Sequence, residues 1–221
     1  MNLATIPPDA PFLDLLAARW LAETPAEAVP RGIILLPTRR AARALAEAFL
    51  RAGGGRPMLL PRITAIGAAD EVPLALSGAF DLPPTVGEAV RLAALSRLIL
   101  SMKGHGGAPR SADKAWLLAR ELASLMDEAE RAGIDLSERL PDAADPDFAQ
   151  HWAKTLEFLH IVTAAWPQWL ADNGLMNPAA RQVALLEAQA SAWEDVPPDF
   201  PVLAAGVTAG IPAVARLLRV V

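Results

Sequence analysis

Four consecutive aliphatic residues, Ile33-Ile-Leu-Leu36, run into Pro37-Thr38 and then into a helical pattern. An unbroken apolar run of this length reads as a strand buried on both faces, and such strands belong to parallel sheets sandwiched by helices. Pro37 ends the strand, and Thr38 is suited to cap the helix that follows. That helix spans 39–52, with a stripe of Ala41, Leu45, Ala48, Phe49 and Ala52 and a stop at Gly53. A chain with this unit at its start is constrained to bury a sheet, and 221 residues supply enough core to do so in one or two domains.

Neighbouring segments repeat the unit. Residues 2–6 predict a short strand closed by Pro7-Pro8, followed by a helix over about 10–23 with Phe12, Leu15, Leu16 and Trp20 on one face. Met58 to Ile63 predicts a further strand, weakened by Pro61. The order β-α-β-α-β favours a parallel sheet with right-handed crossovers.

The period then changes, and residues 84–194 predict only helices. Thr85-Val-Gly-Glu88 matches a capping box opening a helix to about 102, with Leu92, Leu95, Ile99 and Met102 inward. Ser111 opens a second, apolar at 115, 118, 122, 125, 126 and 129 and stopped by Gly133. A third begins near 147, with Phe148, Trp152, Leu156, Leu159, Thr163 and Trp166 on one face, and Pro167 kinks or ends it. Asn177-Pro178 supplies an N-cap and first-turn proline for a fourth, to about 193. Val202 to Ala205 predicts a returning buried strand, and Pro212 opens a last helix. The predicted class is α/β: a parallel sheet domain over 1–83 and 196–221, with a helical insertion over 84–195. The final helix stops while still apolar, at Leu217, Leu218, Val220 and Val221, so the chain is expected to be part of a longer one.

Composition excludes several chemistries. There is no cysteine, so disulfide scaffolds, thiol nucleophiles, cysteine zinc sites and iron–sulfur clusters are ruled out within these residues. Only His105, His151 and His160 are available as imidazoles; His151 and His160 stand nine apart on one helix and cannot share a metal. No apolar run approaches the roughly 18 residues needed to span a bilayer. Asp9 and Asp14 stand where a signal peptide would be basic, so a soluble, cytoplasmic chain with no membrane partner is expected.

Charge is unevenly placed. The chain carries −5 in total, yet residues 31–62 hold Arg31, Arg39, Arg40, Arg43, Arg51, Arg56 and Arg62 against Glu47 alone, a local +6. Such an island is either a local anion site or a solvated arginine-rich surface. Arg39, Arg40 and Arg43 fall in the first turns of the helix capped by Thr38, where cations oppose the helix dipole at a cost of about a few tenths of a kcal/mol each. A bound phosphate would remove that conflict, held by free N–H groups, the Thr38 hydroxyl and the arginine forks.

A nucleotide pocket is missing from its usual place. The loop after the first predicted strand is Pro7-Pro8-Asp9-Ala10-Pro11, which removes N–H donors, lacks glycine and adds a negative charge. No Gly-Lys-Ser/Thr occurs. Gly104 to Gly107 is glycine-rich but follows no strand. No acidic pair follows an apolar strand to hold magnesium, and Asp142, Asp145 and Asp147 lie in a proline-broken loop. Asp127, Glu128 and Glu130 read as a solvated face. Of six tryptophans, Trp20, Trp116, Trp152 and Trp166 fall on apolar stripes and predict core packing, while Trp169 and Trp193 lie near helix ends.

The segment Ile33-Ile-Leu-Leu-Pro-Thr-Arg-Arg-Ala-Ala-Arg-Ala-Leu-Ala-Glu-Ala-Phe49 resembles the second conserved motif of superfamily 1 helicases. Together with Thr5-Ile-Pro-Pro-Asp-Ala-Pro-Phe-Leu13, Leu59-Leu-Pro-Arg-Ile63, His151-Trp-Ala-Lys-Thr-Leu-Glu-Phe-Leu159 and Ala204-Ala-Gly-Val-Thr-Ala-Gly210, it makes the whole chain resemble the N-terminal part of the AddB subunits, of alphaproteobacterial type, of AddAB helicase–nucleases. The resemblance implies a RecA-like sheet domain with helical insertions and no ATP hydrolysis of its own. It also implies an AddA-type motor partner, action on DNA ends in double-strand break repair by recombination, and a nuclease lying outside these residues. Carried over from the motif, contact with single-stranded DNA backbone falls on Thr38, Arg39, Arg40 and Arg43. No cofactor and no catalytic residue are expected in this part of the family. Two other classes stay open: an architectural module that docks on a partner without touching DNA, and an enzyme acting on a phosphorylated small molecule in the sheet cleft.

Overall fold

A computed structural model describes residues 3–66, 82–101, 111–139 and 160–221. The chain divides into two compact units, Met1–Phe80 with Leu185–Val221, and Asp81–Ala184. It is mixed α/β, mostly helical, around a small parallel sheet.

The first unit is built on the run that opens the argument. Ile33–Leu36 forms strand β1, with all four residues buried. Arg62–Ala65 forms β2 and Val202–Ala204 forms β3; both pair parallel to β1, giving the order β2-β1-β3. Leu35 lies opposite Thr64 on one side and Ala204 on the other, and the ladder continues through Ile66 N–H to Leu36 O (2.8 Å) and Ala205 N–H to Leu35 O (2.9 Å). Side chains alternate across a strand. Ile34 and Leu36 therefore share one face, packed with Leu16, Ala17 and Trp20 of α1 (Phe12–Glu23) and Leu45, Ala48 and Phe49 of α2 (Arg39–Ala52). Ile33 and Leu35 point to the opposite face and are equally buried. Each such side chain contributes on the order of 2 kcal/mol by leaving water. Gly32, just before β1, allows the close approach of α1: a Cβ there would stand 2.4 Å from the Trp20 ring and 3.1 Å from Pro201.

This unit closes at its end through one arginine. Arg216, on the final helix Pro212–Val220, donates to Glu187, to Ser191 Oγ (2.9 Å) and to Glu194 Oε2 (2.6 Å). The guanidinium holds the Glu194 carboxyl below its ordinary range.

The second unit is helical, and its helices are numbered on in chain order. Helix α3 (Glu88–Ser101) packs along α4 (Ala112–Ala132), burying Leu92, Leu95 and Ile99 against Ala115, Ala119, Leu122 and Met126. Gly133 stops α4 in the left-handed region, φ 67°, where it releases the Ile134 N–H to bond Ala129 O. A short α5 (Leu136–Arg139) follows. Further on, Ile161–Ala165 winds as one π turn into α6 (Trp166–Asp172). Pro167 has no N–H to offer the turn before it, and a local change of helical register is one way to accommodate that gap. The last helix of the segment, α7 (Pro178–Asp195), runs past the unit boundary at 184. The closing helix Pro212–Val220 is α8.

Two buried polar groups organise the helical unit. Arg91, 4% exposed, sets Nη1 2.8 Å from Asp127 Oδ1 and donates from Nη2 to Ala123 O. Asn177 accepts from Trp166 Nε1 (3.0 Å) and donates to Glu130 Oε1 (2.6 Å), while Glu130 Oε2 accepts from Ala180 N–H (3.1 Å). Glu130 thus caps the first turn of α7 across a gap of 50 residues, the role expected of Asn177.

Several expectations are corrected. Residues 3–6 form no strand; they have no regular secondary structure and, apart from half-buried Ile6, are exposed. Strand β2 starts at Arg62 rather than Met58, since Pro61 cannot donate to a ladder. Thr85 opens no helix: it bridges Met176, Val86 N–H is bonded to Met176 O, and α3 waits until Glu88. Phe12 and Leu15 are 39% and 41% exposed, and Trp116 is 40% exposed, so these stripes are only half covered. Glu130 is half-buried rather than on a solvated face. Trp193 is buried and Trp169 stacks on Trp166, ring centroids 5.0 Å apart. Met102, Gly104 to Gly107, His105, Asp142, Asp145, Asp147, Phe148, His151, Trp152, Leu156 and Leu159 lie outside the described residues.

Burial raises the Glu130 carboxyl above its ordinary value of 4.5, against the opposing pull of Asn177 and Arg91. A raised folded value favours the protonated folded state, so this stability is full below 4.5 and is lost as pH rises through the folded value. Urea unfolding between pH 4 and 8 should show that decline, and Glu130→Gln should flatten it. Glu130→Ala should cost about 2 kcal/mol at neutral pH by orphaning Asn177 and the Ala180 N–H.

Candidate nucleic-acid interface

Three parallel strands end on the same side, at Leu36, Ala65 and Ala204, and the connections leaving them define the carboxyl edge of the sheet. Ligands of open parallel sheets bind at that edge. The Thr38 turn leaves the central strand there. Thr38 is extended (φ −139°, ψ 153°), and its Oγ accepts the Ala41 N–H at 3.1 Å, as a helix cap should. Ala42 N–H bonds Thr38 O, and helix geometry gives the Arg40 amide no acceptor within α2. With one lone pair used by Ala41, the Thr38 hydroxyl keeps its proton to donate.

The structure brings the four predicted residues together at this turn. Thr38, Arg39, Arg40 and Arg43 are all exposed. No acid occupies the first turn of α2. Among the described residues Arg40 and Arg43 form no ion pair, whereas Arg39 holds an interaction of its own. The basic island thus divides by role. Arg31 pairs with Asp199 (2.9 Å), and Arg51 pairs with Asp14 (2.7 Å), tying α2 to α1. These two serve the fold. Arg40 and Arg43, with Arg56 further along, have no ion pair among the described residues.

The turn at 206–210 is read from its glycines; what the sequence does not show is the neighbour it meets. Gly206, just past β3, adopts φ 65°, and a Cβ placed on it would lie 3.7 Å from Phe12 Cζ, so the tip of the Phe12 ring touches this turn. Thr208 and Gly210 stand exposed in the same connection. The position of Phe12 has no such local signal, because it depends on where a distant segment packs. Among the described residues no group of three or more His, Cys, Asp or Glu could hold a metal, and no helix is long and apolar enough to cross a membrane.

The chemistry of the edge, exposed guanidinium groups beside a helix N-terminus, suits an anion. Arginine forks can bind phosphate oxygens bidentately, and a helix N-terminus adds a favourable dipole. If the cations are there for a ligand, the free protein carries their cost. Arg40→Ala should leave stability unchanged or raise it by a few tenths of a kcal/mol, whereas Thr38→Ala should lower it by about 1 kcal/mol; thermal unfolding reads both. Comparison with protein-family models, with curated proteins and with solved structures finds no match to the chain.

Proposed function

We propose that the chain is an ATPase-inactive, helicase-like domain of RecA-like type, the N-terminal part of an AddB-type subunit that acts with an AddA-type motor on broken DNA ends. In this reading Thr38, Arg39, Arg40 and Arg43 hold the sugar–phosphate backbone of a single strand. The observation that carries it is the pair Arg40 and Arg43, exposed and without an ion pair among the described residues, at the end of the central strand. The proline-rich, acidic loop at 7–11 supports a domain that grips a polyanion without hydrolysing a nucleotide.

Binding through backbone phosphates is independent of sequence and falls with salt. About three arginine contacts give a slope of about −2 in log K against log salt, a loss of roughly fifteen-fold between 50 and 200 mM. Fluorescence anisotropy with a labelled oligothymidine should show that slope, and replacing Arg39, Arg40 and Arg43 by alanine should abolish most of the binding. Unchanged binding in the triple variant would refute the DNA contact.

A second reading, a module that docks on a partner subunit, draws on the helical unit, where Val90 (54%), Leu117 (59%) and Trp116 (40%) are exposed. Loss of complex assembly with DNA binding intact, on replacing Leu117 by Ser, would favour it.

A further inference from the structure

We infer that Phe12 is a base-stacking platform for the nucleotide whose phosphate is held at the Thr38 turn; this rests on the single-strand reading above. The register places the two connections at one edge of the sheet. Leu35 pairs with Ala204, and Ala205 N–H bonds Leu35 O, so the chain that turns at Gly206 leaves β3 at the edge where Pro37 and Thr38 leave β1. Adjacent strands lie about 4.8 Å apart. Phe12 Cζ and Cε1 stand 3.7 and 3.8 Å from the position of a Cβ on Gly206. The tip of the ring therefore touches the connection next to the one that carries Thr38.

Three properties suit it to a base. It is 39% exposed, although it opens a helix whose Leu16, Ala17 and Trp20 are buried. Gly206 offers no side chain to cover it, and its positive φ resists a larger residue. Finally, the ring is held in place. Pro7, Pro8 and Pro11 stiffen the approach, Ala10 N–H bonds Pro7 O, and Leu15 N–H bonds Pro11 O. The prolines and Asp9 that make this loop unfit for phosphate leave it fit for an uncharged ring. A side chain ordered before binding loses little entropy on stacking. Base and phosphate are then read by adjacent connections of one sheet edge, a sequence-tolerant arrangement suited to single strands.

The test compares two labelled probes of equal length and charge, oligothymidine and an abasic oligonucleotide, by anisotropy at fixed salt. The whole chain should bind the thymidine probe about tenfold more tightly. Phe12→Ala should erase that preference while keeping affinity for the abasic probe and the salt slope, and Phe12→Trp should restore it. Circular dichroism checks that each variant is folded. A thymidine preference that survives Phe12→Ala, or no preference in the unaltered chain, overturns the stacking role and leaves the phosphate reading standing. If the unaltered chain binds neither probe, both fall. Loss of binding to both probes in Phe12→Ala alone, with the fold intact, also overturns it, since a stacking ring does not hold phosphate.

Discussion

Burial of β1 on both faces is the constraint on which the first unit depends. A strand with Ile34 and Leu36 on one side and Ile33 and Leu35 on the other cannot lie at a surface or an edge. It must be central, flanked by β2 and β3, and covered by helices. Helix α2, which leaves it directly, must fold back to supply that cover through Leu45, Ala48 and Phe49. The return fixes where α2 begins. Pro37 and Thr38 therefore come to the carboxyl edge of the sheet for reasons of packing alone, and whatever α2 carries in its first turn is presented there.

What it carries includes Arg40 and Arg43, which form no ion pair among the described residues. Arg31 and Arg51 meet carboxylates and hold segments together. Arg40 and Arg43 stand one turn apart at the wrong end of the helix dipole, exposed, with no acid in the turn. Stability alone would favour a carboxylate there. The contrast with Arg216, clasped by Glu187, Ser191 and Glu194, shows how this chain satisfies an arginine when structure is the purpose.

The parts legible from sequence are those decided within a few residues. Strand β1, the Thr38 cap and the bounds of α2 follow from an apolar run, a proline and a helical stripe, and Gly133 follows from the need for a left-handed stop. Apart from the start of β2, which Pro61 sets locally, the failures share one cause: the deciding partner lies far along the chain. Residues 3–6 have strand composition but pair with no strand among the described residues. Thr85 has the capping pattern, yet its backbone is taken by Met176. Asn177 looks like a cap, but its amide bridges Trp166 and Glu130, and Glu130 does the capping. For Phe12 and Trp116, periodicity identifies the apolar face without saying how much of it a neighbour covers. For the candidate site, local chemistry marks Thr38, Arg39, Arg40 and Arg43, while the contact of Phe12 with the Gly206 turn needs the sheet.

The central claim is that the first turn of α2 meets nucleic-acid phosphate, and amide-resolved NMR tests it most directly. Titrating a short single strand into isotope-labelled protein should move the backbone signals of Thr38 to Ala42 and the side-chain Nε–H signals of Arg40 and Arg43 first and furthest. Shifts confined to α3 and α4, with those signals unmoved at saturation, would contradict it.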